Sequence, residues 1–310
     1  MKSIGIIGVG NMGLPMLQAL QRAGFSVVAR DLRGDAEAAA RAAGARIAAS
    51  ARDLAAQSDM ILVVVVDAAQ IEDALFREAD PAAAGWRPGT VVALCSTIGP
   101  QDAERLAERI AAAGGLALDA PISGGPVRAA AGQLSLMLAA TEQVLAVAAP
   151  VLAALADKRF HISDRPGDGA RMKLVNNLLA GINLAAGAEV LAMGESLGLD
   201  PQLMLAVVGA SSGQSWIVDE RMSRAFAGDF APRAHARILL KDVTLAVGMA
   251  QAAGCEAGLG ESALALFRET VARGWGAEDD AVLLRTARER ITEKSAGESP
   301  GADAPVAAQP

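Results

Sequence analysis

The chain contains no tyrosine, only 3% aromatic residues, two cysteines and two histidines among 310 residues. Cys95 and Cys255 lack both the spacing of a metal site and the number that a disulfide framework needs. We therefore expect reduced thiols and a cytoplasmic protein. His161 and His235 stand apart from each other and from any cluster of carboxylates, so the sequence predicts no metal centre.

Long apolar runs and dense basic runs are also missing. The basic residues are scattered and the formal net charge is −7, so charge does not favour a nucleic-acid partner. The most apolar strand-like run, residues 60–66, is far too short to cross a bilayer. Residues 1–6 lead directly into glycines rather than into the apolar stretch of a signal peptide. We expect neither a membrane partner nor export.

Apolar residues make up 52% of the chain, which is ample for a buried core. At 310 residues the chain is longer than a single core usually supports. The first half alternates strand-like with helix-like segments, and its strands are continuously apolar. This pattern is typical of a parallel sheet covered by helices on both faces, the α/β Rossmann-type fold. The predicted strands are residues 4–8, 25–29, 60–66, 90–94, 116–118 and 134–138, and the early helices are 11–24 and 36–43.

After about His161 the pattern becomes helical. Residues 173–197 keep a helical period and predict one long helix, and helical patterning continues to about residue 294. The prediction is a Rossmann domain at 1–163, joined through the long helix to an all-α domain at 164–294. Residues 295–310 are rich in Ala, Pro, Gly and Ser and predict a disordered tail.

A glycine loop follows the first strand. Residues 8–13 read GVGNMG, which matches G-x-G-x-x-G at the start of a helix. Gly8 permits a tight turn, Gly10 leaves room for a pyrophosphate, and Gly13 lets helix and strand approach closely. The helix amino terminus, with Asn11 and Met12, offers free N–H groups to phosphates. The loop predicts a dinucleotide site, although a purely structural turn gives the same pattern.

Asp31 ends the second strand, 18 residues after Gly13, close to the spacing of the carboxylate that binds the adenosine ribose. A carboxylate there repels a 2′-phosphate, so we expect NAD as cofactor rather than NADP. Arg30 and Arg33 flank Asp31 and could soften that preference, or could be ordinary surface charges.

Two later segments carry groups suited to a small carboxylate substrate. Ser123, Gly124 and Gly125 offer a hydroxyl and backbone N–H groups that can hold a carboxylate, although two glycines also suit a plain turn. Lys173 lies near the start of the long helix, with Asn176 and Asn177 three and four residues further on and so on the same side. A lysine with two amides in an apolar helix indicates more than a solubility role.

Three segments together resemble the β-hydroxyacid dehydrogenase family, the relatives of 3-hydroxyisobutyrate dehydrogenase. They are DAPISGG at residues 119–125, GDGARMKLVNN at 167–177, and the Lys241-Asp242 pair. With the glycine loop, this similarity extends in order to about residue 290. The resemblance implies an NAD-dependent enzyme that interconverts the hydroxyl group of a small hydroxy acid and its oxo form.

The resemblance also implies roles for individual residues. Lys173 would transfer the hydroxyl proton, assisted by Asn177, and acting as a base near neutral pH requires a pKa below the usual 10.4 or so of lysine. Substrate would be bound by Ser123, Gly124, Gly125 and Asn176. The cofactor would be bound by Val65, Val66, Ser96, Thr97 and Lys241 in addition to the glycine loop and Asp31. Ser96 and Thr97 could instead cap the following helix.

The substrate itself is less strongly indicated. Where many members have Leu-Pro, this chain has Val65-Val66-Asp67, which resembles the branch acting on four-carbon acid sugars such as L-threonate. The segment SGQSW at 212–216 is similar to that branch too, although Trp216 could simply pack between helices. The neighbouring possibilities are 3-hydroxyisobutyrate dehydrogenase and tartronate semialdehyde reductase.

Other classes of protein remain open on the sequence alone. A non-catalytic binding module on the same fold and an imine reductase are the rivals, and Lys173 with its two asparagines argues against both. The Ala-rich long helix offers more apolar surface than one small domain buries easily, so we expect a homodimer or homotetramer.

Overall fold

The computed structural model describes residues 2–297, and the predicted α/β architecture is confirmed. Within the described residues the strands are β1 (Ser3–Ile7), β2 (Ser26–Arg30), β3 (Arg46–Ile47), β4 (Met60–Val63), β5 (Val91–Leu94), β6 (Leu116–Asp119), β7 (Ile122–Ser123), β8 (Leu134–Ala139) and β9 (Ala156–Ser163). They form one sheet with the order β3-β2-β1-β4-β5-β6-β8-β7, and β9 pairs with β8. Strands β1 to β6 are mutually parallel where they pair, whereas β8 runs antiparallel to β6 and β7.

Alternate side chains of the central strands enter two separate cores. On β4, Met60 and Leu62 pack into the core on one face of the sheet, and Ile61 and Val63 pack into the core on the other. All four residues are 1% exposed or less. Both faces of the sheet are therefore covered, which explains why the strands are apolar without interruption.

Helices of the α/β part cover these two faces. Ser50 begins one of them by accepting a hydrogen bond from Asp53 N at 3.1 Å, and Asp67 begins another by accepting from Gln70 N at 2.9 Å. Such side-chain caps satisfy N–H groups that have no partner within the helix. The helices are α1 (Gly13–Arg22), α2 (Gly34–Ala42), α3 (Ala51–Ala56), α4 (Ala68–Glu72, continued by a π-helical turn at Asp73–Arg77), α5 (Pro100–Ala112), α6 (Gly125–Ala131) and α7 (Glu142–Leu155).

The rest of the described chain is helical, as predicted. Its helices are α8 (Asp168–Ser196), α9 (Pro201–Gly209), α10 (Trp216–Phe226), α11 (Ala236–Ala252), α12 (Gly258–Thr270) and α13 (Leu283–Gly297). Helix α8 begins five residues before the predicted start at Lys173. It is also long and apolar enough to span a membrane by length and composition alone, which is weak evidence because the core helix of a soluble protein meets the same test.

The described residues form two structural units. One comprises residues 2–178 with 242–256, and the other comprises residues 179–241 with 257–297. In the second unit a buried charge cluster joins α10 to the turn before α13: Arg224 contacts Asp279 at 3.0 Å, and Arg221 contacts Asp280 at 2.5 Å. Arg288 of α13 binds Glu195 of α8 at 2.6 Å.

Several details differ from the sequence prediction. The two-residue strands β3 and β7 were not predicted, because so short a segment carries no period. Strand β9 was missed because residues 157–160 are polar or exposed, as suits its pairing with a single neighbour, β8. Helix α13 continues to Gly297, three residues into the predicted tail, and the remainder of that prediction lies outside the described residues.

Candidate active site

The glycine loop between β1 and α1 has the geometry that the motif requires. Gly8 has a φ of +90°, and a side chain there would overlap the carbonyl group of Val64. A side chain on Gly13 would overlap the carbonyl oxygen of Gly8. Gly10 is different, because the nearest atom to a Cβ placed there is the end of the flexible Arg33 side chain, at 3.4 Å. The protein's own backbone thus excludes side chains at Gly8 and Gly13, whereas space is left open at Gly10.

A pocket of about 540 Å³ lies against this loop. Its lining includes Gly10 and Asn11 of the loop, Arg33 beyond β2, and apolar residues of α1 and α6. Met12 is partly buried and packs against the core cluster on this side of the sheet. An open glycine, a helix amino terminus and an adjacent pocket together fit a nucleotide pyrophosphate.

Asp31 is held beneath this loop. Its carboxylate accepts hydrogen bonds from Val9 N at 2.8 Å and from Arg33 N at 2.9 Å, and its side chain is 11% exposed. Arg30 is engaged by Glu37 at 2.6 Å, whereas the Arg33 side chain is 59% exposed. A carboxylate therefore lies at the end of β2, and Arg33, which pairs with it at 3.5 Å, is the more exposed of the two neighbouring arginines.

The carboxyl ends of β4 and β5 meet beside one another. Val65 N donates to Ser96 Oγ at 3.1 Å, and Val66 N donates to Gln70 Oε1 at 3.0 Å. Ser96 is buried and Thr97 is partly buried. The alternative in which Ser96 or Thr97 caps the next helix does not fit, since α5 begins at Pro100 after Gly99 and has no side-chain cap.

The predicted substrate loop is more ordered than a plain turn. Ser123 belongs to β7 and pairs with Ser135 of β8. Gly124 and Gly125 have φ values of +132° and +73°, which favour glycine, and they lead into α6. The loop is thus fixed between a strand and a helix.

Lys173 lies on α8 and is 7% exposed. Asn177, one turn further along, is 8% exposed, and its Nδ2 donates to Asp242 Oδ2 at 2.7 Å. Asn176 donates from Nδ2 to Asn177 Oδ1 at 3.0 Å but is itself exposed. Burial therefore separates the two asparagines: Asn177 lies inside the structure as Lys173 does, and Asn176 lies at the surface.

Two buried aspartates were not predicted as site residues. Asp119, at the end of β6, accepts from Gly167 N at 2.8 Å and from Ala170 N at 3.0 Å, and so connects the two family segments. Burial raises the pKa of Asp119 to about 6, although hydrogen bonds from the backbone of Ala170, Gly167 and Gly169 act in the opposite direction. Asp242 binds Asn177. A charged residue ending an apolar strand was the signal available for Asp119.

Other predicted residues lie elsewhere in the chain. Lys241 is half-buried on α11, in the second unit. In the SGQSW segment, Gln214 donates to Asp219 at 2.9 Å. Trp216 begins α10 with 51% of its surface exposed, so it does not simply pack between helices.

A Rossmann sheet in which Asp31, at the end of β2, is bonded to the glycine loop is typical of NAD-dependent dehydrogenases. Sequence profiles identify the family within that class. The NAD binding domain of 6-phosphogluconate dehydrogenase matches residues 3–163, and the NAD-binding region of NADP-dependent 3-hydroxyisobutyrate dehydrogenase matches residues 167–287. The chain belongs to the β-hydroxyacid dehydrogenase family, related to 3-hydroxyisobutyrate dehydrogenase.

Individual relatives are similar to this chain over nearly its whole length. L-threonate dehydrogenase of Cupriavidus necator is 37% identical over 92% of this chain and 95% of its own. NAD-dependent L-serine dehydrogenase of Pseudomonas aeruginosa is 33% identical over 92% and 97%. The crystal structure of a 3-hydroxyisobutyrate dehydrogenase from Salmonella typhimurium superposes with a TM-score of 0.86 at 37% identity, covering 92% of this chain and 99% of that one. The chain is accordingly an oxidoreductase acting on a CH–OH group, with NAD as its cofactor.

Proposed function

We propose that this enzyme oxidises the hydroxyl group of a small hydroxy acid, or reduces the corresponding oxo acid, with Lys173 as the general acid and base. The observation that carries the proposal is the burial of Lys173 on a helix whose first turn is bound by Asp119, the first residue of the predicted substrate segment. Family membership supports the same chemistry.

The proposed roles follow from the positions of the side chains. Gly8, Gly10, Asn11, Met12 and Gly13 would hold the pyrophosphate, and Asp31 the adenosine ribose. When bound, NAD supplies the hydride acceptor. Lys173 Nζ takes the proton of the substrate hydroxyl in oxidation and returns it in reduction. Asn177, fixed by Asp242, would orient the reacting groups.

Substrate binding is assigned to Ser123, Gly124, Gly125 and Asn176. The substrate carboxylate would accept hydrogen bonds from this loop, whose backbone is held between β7 and α6. Val65, Val66, Ser96, Thr97 and Lys241 complete the proposed cofactor site. An imine reductase or a non-catalytic binding module is disfavoured because dehydrogenase relatives are 33–37% identical to this chain, whereas imine reductase structures are only 18–21% identical.

As substrate we propose a four-carbon acid sugar such as L-threonate. Relatives with the name L-threonate dehydrogenase are 34–37% identical to this chain. The segment Val65-Val66-Asp67 supports the same branch, and Asp67 has a structural function there as the cap of α4. Oxidation of 3-hydroxyisobutyrate is the second candidate, favoured by the similarity to the Salmonella structure.

A substrate panel tests this assignment. L-threonate, 3-hydroxyisobutyrate, L-serine and tartronate semialdehyde would be compared with NAD(H) and NADP(H) by nicotinamide absorbance. We expect the highest kcat/KM for L-threonate with NAD. A preference of tenfold or more for another acid would overturn the substrate and leave the reaction class intact.

Lys173→Ala tests the proposed catalyst. General acid–base catalysis contributes about 10²–10⁴-fold, so kcat should fall by that factor while NADH still binds. Lys158→Ala, which removes an exposed lysine of β9, is the matched control and should retain full activity. A wild-type kcat for Lys173→Ala would show that Lys173 is not the general acid and base.

We also propose that the enzyme is a homo-oligomer in the cytoplasm, with the domain division at residues 163 and 164. Helix α9 is made almost entirely of apolar residues, yet none of them is buried. On the adjoining part of α8, Val190 and Met193 are more than half exposed, as is Leu197 directly after the helix ends. A second copy of the chain would cover this apolar surface, since a stripe along a helix can pair with itself about a two-fold axis.

A further inference from the structure

We infer that Asp119 is a positioning residue for Lys173, because it holds the first turn of α8 against the carboxyl end of β6. The inference rests on the proposed role of Lys173 and extends it to a residue that does not itself touch substrate or cofactor. It gives the first residue of the 119–125 segment a function different from anion binding, namely to fix the helix that carries the proton-transferring group.

The geometry is that of a helix cap supplied by a distant residue. The first N–H groups of a helix have no partner within it. At α8 these include the N–H groups of Gly167 and Ala170, which donate to Asp119 Oδ2 at 2.8 Å and 3.0 Å. The N–H of Asp168 is satisfied separately by the carbonyl of Arg165 at 3.2 Å. One buried carboxylate therefore accepts from two of the leading N–H groups.

Packing makes this contact specific. A side chain on Gly169 would lie 2.7 Å from Met137 O and 2.9 Å from Asp119 Oδ2, so only glycine allows α8 to approach β6 and β8 this closely. Asp119 itself is 2% exposed. Lateral movement of the helix is thus limited by the backbone of β8 as well as by the carboxylate.

Lys173 is less than one helical turn beyond the last N–H group that Asp119 holds. The interval from Ala170 to Lys173 corresponds to about 4.5 Å along the helix axis. Because this distance is short, a shift of the first turn of α8 moves Lys173 by a similar distance. A displacement of about 1 Å at a reacting group can reduce the rate by about 10²-fold.

The cap needs lone pairs rather than a negative charge. An amide oxygen at this position can accept from the same N–H groups, so Asp119→Asn should preserve the position of α8. Asp119→Ala leaves the N–H groups of Gly167 and Ala170 without this acceptor. Asp59→Ala is a matched control, because Asp59 accepts from Lys2 N at 2.7 Å and Ser3 N at 3.1 Å at the opposite, amino end of the sheet.

The experiment compares these variants in the full-length enzyme by kcat, NADH affinity, amide hydrogen exchange and the reactivity of Lys173 toward reductive methylation. For Asp119→Ala we expect kcat to fall about 10²-fold, NADH affinity to change less than threefold, exchange at residues 167–170 to accelerate, and Lys173 to be methylated faster. Asp119→Asn should restore kcat to within a fewfold of the wild type, and Asp59→Ala should leave all four measurements unchanged.

Gly169→Ala moves the same turn by steric contact and should lower kcat even though Asp119 is intact. Gly248→Ala on α11 is its control, because nothing lies within 4 Å of the added Cβ. The positioning role is overturned if Asp119→Ala exposes the amides of residues 167–170 while kcat and Lys173 methylation stay at wild-type values. Failure of the proposed chemistry is a separate result, because it would appear as full activity of Lys173→Ala.

Discussion

At the scale of single residues, the three glycines of the loop at 8–13 are required for different reasons. Gly8 and Gly13 are constrained by backbone carbonyl groups of the protein itself, whereas Gly10 faces open space beside the pocket. The motif indicates that all three glycines matter. Only the structure shows that the fold requires Gly8 and Gly13, whereas Gly10 leaves space for a ligand.

Gly10→Ala and Gly13→Ala should therefore separate stability from binding. Gly13→Ala should lower the free energy of unfolding by about 1–3 kcal/mol, because α1 must move away from the Gly8 carbonyl. Gly10→Ala should unfold at nearly the wild-type temperature but bind NADH at least tenfold more weakly. Thermal unfolding without cofactor and a nicotinamide fluorescence titration measure the two effects. Equal loss of stability in both variants would contradict this distinction.

The two cysteines should differ in reactivity. Burial, together with the charge of Asp119, raises the pKa of Cys95 to about 12, so its thiolate is scarce at neutral pH. Cys255 is exposed. In the native protein a maleimide should label Cys255 alone, and Cys255→Ser should abolish labelling until denaturant is added. Mass spectrometry counts the adducts, and native labelling of Cys95 at the rate of Cys255 would contradict the prediction.

At the scale of elements, the sequence predicted the central strands because each is buried on both faces and so is continuously apolar. It misplaced the start of α8, since the period of apolar residues becomes evident only near Lys173. The preceding residues, Gly167 to Arg171, are polar or small, and Gly167 is held by Asp119 from 48 residues earlier. A contact so distant along the chain leaves no local signal.

Asp119 should also give the protein a measurable pH dependence of stability. Its pKa is raised to about 6 in the folded state, above the value of about 3.9 of an unfolded chain. The folded protein therefore holds this proton more tightly. The stabilisation is complete below about pH 4 and is lost as pH rises through about 6, by roughly 2–3 kcal/mol.

Asp119→Asn removes this titrating group. The free energy of unfolding of the wild type, minus that of Asp119→Asn, should fall between pH 4 and 6 and then level off, as measured by chemical denaturation. Burial also raises the pKa of Asp280, to about 7, but Asp280 is present in both proteins and its contribution cancels in the difference. A flat or rising difference would show that desolvation of Asp119 is not the dominant effect.

At the scale of the whole molecule, the apolar surface of α8 and α9 provides a test of assembly. Leu203→Glu on α9 places a charge where the second copy is proposed to pack, and should shift the enzyme toward the monomer in sedimentation velocity. Leu259→Glu alters an exposed leucine of α12 and should leave the assembly unchanged. A wild-type protein that is monomeric at micromolar concentration would contradict the proposal.

The sequence by itself determined the fold class, the dinucleotide loop and the family, because each depends on residues close together in the chain: an apolar strand, three glycines, and short segments around Ser123 and Lys173. Tertiary structure alone decided that Lys173 and Asn177 are buried while Asn176 is exposed. It also decided that Asp119 binds the first turn of α8 and that Asp242 binds Asn177. Burial and long-range hydrogen bonds depend on how distant segments pack, and packing is set by the three-dimensional arrangement of surfaces that no local pattern records.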